Sequence, residues 1–155
     1  MSPGDISARV RQLDTSSSRT EEEVWSHLRP LGSLVVPYLS EAYGTFRTWQ
    51  GRSSLVYHSI RYARTSDDAF NLGLRALQDK ATVVRYRACS LLAYSLRRDA
   101  FPLLEQATQH VDEKTVADAI AALDAIRQQN HHLFVDRGRG GRTFWVVNES
   151  DRGNA

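Results

Sequence analysis

DKATVVRYRACSLLAYSL, Asp79 to Leu96, is the stretch on which the fold turns. An acidic turn leads into a run where Ala88, Leu91 and Leu92 follow Val84 at intervals of three or four. That spacing makes one buried stripe on a helix, with arginine and tyrosine between the apolar positions. VDEKTVADAIAALDAI, Val111 to Ile126, repeats the plan. Val84 recurs as Val116, 32 positions on, and Ala88, Leu91 and Tyr94 are matched by Ile120, Leu123 and Ile126. Helices this short do not stand alone in water, so each stripe must be covered by a neighbour.

Working outward, Ala69-Phe70 recurs as Ala100-Phe101, 31 positions on, and VPYLSEA from Val36 is echoed by FPLLEQA from Phe101 at about twice that period. Pro37 and Pro102 both fall where a first helical turn tolerates proline. The repeating unit is therefore two helices long. The pattern predicts outer helices over 34–46, 67–78 and 99–109, inner partners over 52–63, 82–96 and 114–128, and an extra helical stretch over 21–29 covering the first end.

The acidic turn, the Val-Arg at the start of the second helix and the small and aliphatic stripe resemble the short HEAT-like repeat of the bilin-lyase type, over Val36 to Ile126. Neither the ankyrin T-P-L-H signature nor a tetratricopeptide pattern occurs. The resemblance implies an all-α fold, an α-solenoid of about three HEAT-like helix pairs. It is specific for fold and poor for function, because that family includes bilin lyase subunits, scaffold proteins, alkylpurine DNA glycosylases and small bacterial inhibitor or immunity-type proteins. Two departures stand out. Val116 is followed by Ala117 where the repeat usually has arginine, and GRSSLVYHSIRYA has Ser53-Ser54 there, so any ladder of turn-to-helix ion pairs is expected to be incomplete.

At the ends the pattern changes. Residues 1–19 have too few large hydrophobes to pack and read as a flexible leader without the apolar run of a signal peptide. Thr20 with Glu23, just before Val24, matches a capping box, which opens the repeat domain of residues 20–130. In 131–148, Leu133–Val135 and Thr143–Val147 flank a glycine-rich loop and predict a C-terminal β-hairpin cap on the last helix pair. The tail 149–155 is expected to fray.

A length of 155 residues suits one domain, and 41% hydrophobic with 25% charged residues excludes collagen-like, mostly disordered and membrane-spanning chains. The lone Cys89 forms no internal disulfide and points to a reducing, cytoplasmic setting. Twenty basic against eighteen acidic side chains leave a net charge of only +2, too little for a long-range field that gathers nucleic acid. Only Lys80 and Lys114 of the basic set are lysines, so arginine carries the positive charge.

No chemical motif suggests catalysis. Cys89 sits in a helical stripe of small hydrophobes without an activating histidine, and Asp67-Asp68 and Asp112-Glu113 stand at helix starts, where carboxylates answer orphan N–H groups. His131, His132 and Asp136 carry metal-ligand chemistry, but neighbours on a strand point to opposite faces, so neither metal nor cofactor is expected. Arg137, Arg139 and Arg142 share a glycine-rich loop that reads as a solvated turn or as a clasp for an acidic partner.

The inner helices of stacked pairs line a concave face. Arg52, His58, Arg61, Arg85, Tyr86, Arg87 and Asp118 are the residues predicted to face a partner there, joined by Arg137, Arg139 and Arg142 of the loop. Charge changes sign along that groove, through Lys114, Asp118 and Asp124, which suits a mixed protein surface better than a phosphate backbone. Arginine and tyrosine are also enriched where proteins meet. The expected function is non-enzymatic binding of another protein, as an inhibitor or immunity-type protein that neutralises a cognate toxin or effector. The alternative is nucleic-acid binding through Arg85, Arg87, Arg97, Arg98 and the Arg137–Arg142 loop.

Overall fold

A computed structural model describes residues 1–153. It is helical, with no strand among the described residues. The helices are α1 (Pro3–Arg11), α2 (Ser18–Leu28), α3 (Val36–Ala42), α4 (Trp49–Ser59), α5 (Asp67–Ala76), α6 (Thr82–Ser95), α7 (Phe101–Ala107) and α8 (Glu113–Arg127), joined by turns, of which those after α2, α3, α4 and α6 include 3₁₀ segments. The six predicted repeat helices are all present. Pro37 and Pro102 lie in the first turns of α3 and α7, and Thr48, Ser66 and Asp112 cap α4, α5 and α8 with side-chain oxygens.

α6 packs between α4 on one side and α8 on the other, forming an inner layer. α5 covers α6 from the second layer and also touches α3, while α7 closes against α8. One contiguous core results, with Phe70, Tyr94, Leu91, Leu92, Leu104 and Ile126 each less than 3% exposed. The stripe on α8 is rotated from the predicted one. Ala119, Ala122 and Ile126 are buried with Leu123, whereas Ile120 is 54% exposed.

The rotation follows from a polar register of 33 residues. Arg52, Arg85 and Asp118 stand 33 positions apart, and all three are buried. Arg52 bonds Asp79, Arg85 bonds Asp112, and in both pairs the partners are 27 residues apart. An arginine one turn inside each inner helix thus reaches the carboxylate that opens the next unit. Burial pushes the Asp79 carboxyl up, but bonds from Arg52, Tyr43 and the Ala81 N–H outweigh it and hold the carboxyl below its ordinary range. In the third unit the sign is reversed. Asp118 takes the arginine's place and Arg137 comes back from the C-terminal segment to bond it at 2.9 Å.

Four expectations about the ends are corrected. The first nineteen residues are not a flexible leader. Ser2 and Asp5 cap α1 reciprocally, Ile6, Val10 and Leu13 are buried, and α1 packs on α2 and α3. The cap of α2 is Ser17, which accepts from the Thr20 N–H, rather than Thr20 itself. Asp14, just beyond α1, accepts from the Thr48 N–H and hydroxyl at 2.9 and 2.7 Å and so joins the leader to the start of α4.

The predicted C-terminal β-hairpin is absent. His131–Phe134 form a 3₁₀ turn, Asp136 gathers the Gly140 and Gly141 N–H groups, and Arg137 and Arg139 are fastened to Asp118 and Asp124 of α8. Residues 143–146 carry no regular secondary structure, and the backbone at Trp145, Val147 and Asn148 is bonded by side chains instead of a second strand. His132 Nδ1 accepts from the Trp145 N–H, His131 Nε2 meets the Trp145 carbonyl, and Asp151 accepts from the Val147 and Asn148 N–H groups. The predicted fraying tail is also replaced, over 149–152, by a 3₁₀ turn capped by Asn148. The remainder of that tail, Asn154 and Ala155, lies outside the described residues.

Candidate binding groove

Where α2, α4 and α6 meet the C-terminal segment they leave a groove of about 310 Å³. Trp25, Arg29, Tyr57, His58 and Arg61 line one side, Tyr86, Arg87 and Ser90 another, and Phe134, Val135 and Trp145 to Val147 close it. The spacing within each helix produces this. Tyr57, His58 and Arg61 are neighbours across one turn of α4 and its 3₁₀ extension, and Tyr86, Arg87 and Ser90 do the same on α6.

Arg29, Arg61 and Arg87 take part in no ion pair among the described residues. The guanidinium carbon of Arg87 lies 4.7 Å from the centre of the Tyr57 ring and 5.6 Å from that of Tyr86. Its Nε is buried and meets no acceptor among the described residues. Ring faces attract a guanidinium but offer it no acceptor, so the buried Nε stays unsatisfied while the rest of this half-buried side chain lines the groove, where an incoming acceptor is favoured.

His58 is fixed from two sides. Its ring stacks on Trp25 with centroids 3.7 Å apart, and its Nε2 lies 2.5 Å from Glu21 Oε1. Burial depresses its pKa, against the opposing bond to Glu21, which keeps the ring neutral at neutral pH. The groove is thus floored by aromatic rings and edged by guanidinium groups.

The predicted site residues divide into three sets. His58, Arg61, Tyr86 and Arg87 come together in this groove. Arg52, Arg85 and Asp118 were expected on an exposed face but are buried, bonded to Asp79, Asp112 and Arg137, because the 33-residue register turns them inward. Arg137 and Arg139 are engaged with α8, which also accounts for the acidic side chains at Asp118 and Asp124, and only Arg142 of that loop is exposed without an ion pair among the described residues.

Arg29, Trp25, Tyr57 and Trp145 belong to the groove and were not singled out in the sequence. Tyr57-His58 and Tyr86-Arg87 share an aromatic-basic pairing that could have flagged Tyr57. Trp25, Arg29 and Trp145 arrive from distant segments with no local signal.

Other chemistry is sparse. His131 and His132 do not point apart as strand neighbours would, since their rings lie 4.0 Å apart in the 3₁₀ turn. Among the described residues no group of three or more histidines, cysteines and carboxylates is placed to hold a metal ion. Cys89 is fully buried, and that burial pushes its thiol well above the ordinary value. No described helix is long and apolar enough to cross a membrane. No family model matches the chain, and no curated protein is similar to it.

Proposed function

We propose that this chain is a non-enzymatic binding module of the HEAT-like type that holds a carboxylate-bearing segment of another protein in the groove between α4, α6 and the C-terminal segment. The observation that carries this reading is Arg87, pressed between Tyr57 and Tyr86 with a buried Nε that lacks an acceptor, beside two further unpaired guanidinium groups. A partner carboxylate would bond those N–H groups, and an adjoining apolar side chain would rest on Tyr57, Tyr86 and Trp145. Tyr57 and Tyr86 are 52% and 37% exposed, so both rings have area left to bury. The inhibitor or immunity-type form of this reading rests on the resemblance of the repeats alone.

Nucleic-acid binding draws less support. Of the arginines that reading needs, Arg85 is buried on Asp112, Arg97 is bonded to Asp67 and Asp99, and Arg137 and Arg139 are spent on α8. No continuous basic strip of the kind that follows a phosphate backbone remains among them.

Titration of the ¹⁵N-labelled protein with a short peptide of glutamates around one phenylalanine, and separately with oligo-dT, tests the proposal. Shifts confined to amides around Tyr57, Arg61, Tyr86 and Arg87 with the peptide are expected. Shifts there with oligo-dT alone, or with neither, would overturn it.

A further inference from the structure

The C-terminal wall of the groove is held by an unusual set of bonds. Trp145 stands in that wall, and both of its backbone polar groups are satisfied by imidazole rings, its N–H by His132 Nδ1 at 2.9 Å and its carbonyl by His131 Nε2 at 2.8 Å. His131 Nδ1 faces Arg64 Nη2 at 3.0 Å. A guanidinium and a peptide N–H are donors only, so Nδ1 of each ring must be a bare acceptor. His131 must therefore carry its single proton on Nε2, where it donates to Trp145. A second proton on either ring would set N–H against N–H.

We infer that His131 and His132 form a proton-sensitive latch that holds residues 143–148 against α4 and α6 while both rings are neutral, and releases this wall of the groove when the rings are protonated.

The surroundings of His131 favour its neutral form. His131 faces Arg64 from the end of the α4 segment, the Tyr94 ring edge-on from α6, and His132 beside it, so two of its neighbours are a cation and a second titratable ring. Asp151 opposes them, 3.7 Å from His131 Nε2. The Tyr94 hydroxyl and the Val147 and Asn148 N–H groups all bond its Oδ2, and the Oδ1 that faces His131 also faces Arg64, 3.9 Å away. Around His132 stand the Phe144 ring and the Trp145 N–H, with no carboxylate bonded to it among the described residues. Burial lowers the pKa of His131 from its ordinary 6.5. The sign follows: the latched form binds fewer protons than the released one, so the latch is fully closed above the ordinary imidazole value and weakens as pH falls below it.

The consequence for ligand affinity rests on the proposed groove, but the latch itself does not need a partner for its test. Amide hydrogen exchange followed by NMR reads it directly. Between about pH 7.5 and about pH 5, the protection factor of the Trp145 amide is expected to fall at least tenfold, as one further proton per unit of pH requires, while those of Leu91 and Leu92 hold. In His132→Asn the amide oxygen takes the place of Nδ1 without a titrating charge, and the midpoint of the loss moves to lower pH. Imidazole ¹⁵N signals of the unaltered protein give an independent check: both rings should carry hydrogen on Nε2 at pH 7.5. Constant protection at Trp145, an unmoved midpoint in the variant, or an Nδ1–H form of either ring would overturn the latch. If the latch opens on schedule and binding of the glutamate peptide at pH 7.5 is absent, the groove reading fails and the latch stands.

Discussion

Arg52 and Asp79, 27 residues apart, meet as a two-pronged ion pair, Nε to Oδ2 at 2.8 Å and Nη2 to Oδ1 at 3.2 Å, with 9% and 4% of their side chains exposed. Arg52 also donates to the carbonyls of Phe46 and Arg47, and the Tyr43 hydroxyl donates to Asp79, so every strong group in the cluster has a partner. The pair bridges the first inner helix to the turn that starts the second, which makes it a joint between repeat units. Removing one member leaves the other buried and uncompensated, which costs ~3–5 kcal/mol. Arg52→Met should therefore lose about 3 kcal/mol or more in urea denaturation, and a loss below about 1 kcal/mol would show that the joint is not needed.

Acid should loosen the same joints. Asp79, Asp112 and Asp14 all have folded-state pKa values below the ordinary 3.8, through bonds from Arg52 and Tyr43, from Thr82 and Arg85, and from Arg47 and Thr48 that prevail over burial. A depressed carboxyl stabilises the fold fully above its unfolded value and loses that contribution as pH falls toward the folded value. The contribution of these carboxylates to urea stability is complete down to about pH 5 and falls steeply below about pH 4, beneath the earlier loss that the lowered His58 and His131 values bring below about pH 6.5. Asp79→Asn, less stable at pH 6, should show a shallower fall, and parallel curves would contradict the assignment.

How much of this was legible beforehand can be judged residue by residue. The second and third inner helices are legible closely, 82–96 against Thr82–Ser95 and 114–128 against Glu113–Arg127, and the first less so, 52–63 against Trp49–Ser59, because a 3.6-residue stripe is a local property of the chain. The facing of Arg52, Arg85 and Asp118 was not, since apolar matching at 32 residues hid the polar register at 33 and turned three buried side chains outward. Of the residues that line the groove, His58, Arg61, Tyr86 and Arg87 are expected on the inner face from their helices alone. The hairpin failed for a different reason: β-branched and aromatic runs around glycines carry strand propensity, but the backbone of Trp145 found its partners in His131 and His132, contacts that no local pattern announces.

The docking of α1 depends on a close backbone approach at Gly51. A Cβ there would sit 2.9 Å from both the Asp14 Cα and the Leu13 carbonyl oxygen, and 2.7 Å from the Thr48 Oγ1 that caps α4. Backbone cannot step aside as a side-chain end can, so Gly51→Ala should cost ~1–3 kcal/mol. It should also speed protease cleavage within residues 14–17. Gly4→Ala, where a Cβ meets nothing closer than 3.9 Å, is the control, and equal behaviour of the two variants would contradict the packing described for α1.

The groove stands or falls on Arg87. Fluorescence anisotropy of a labelled glutamate-phenylalanine peptide, measured against the unaltered protein, Arg87→Gln and Arg142→Gln, separates a positioned guanidinium from loss of one positive charge. Bonds to a charged group contribute about 1.5–3 kcal/mol, so Arg87→Gln should weaken binding about tenfold or more. Arg142→Gln, exposed and outside the groove lining, should stay within about twofold. Equal weakening by both variants, or none by Arg87→Gln, would contradict the account.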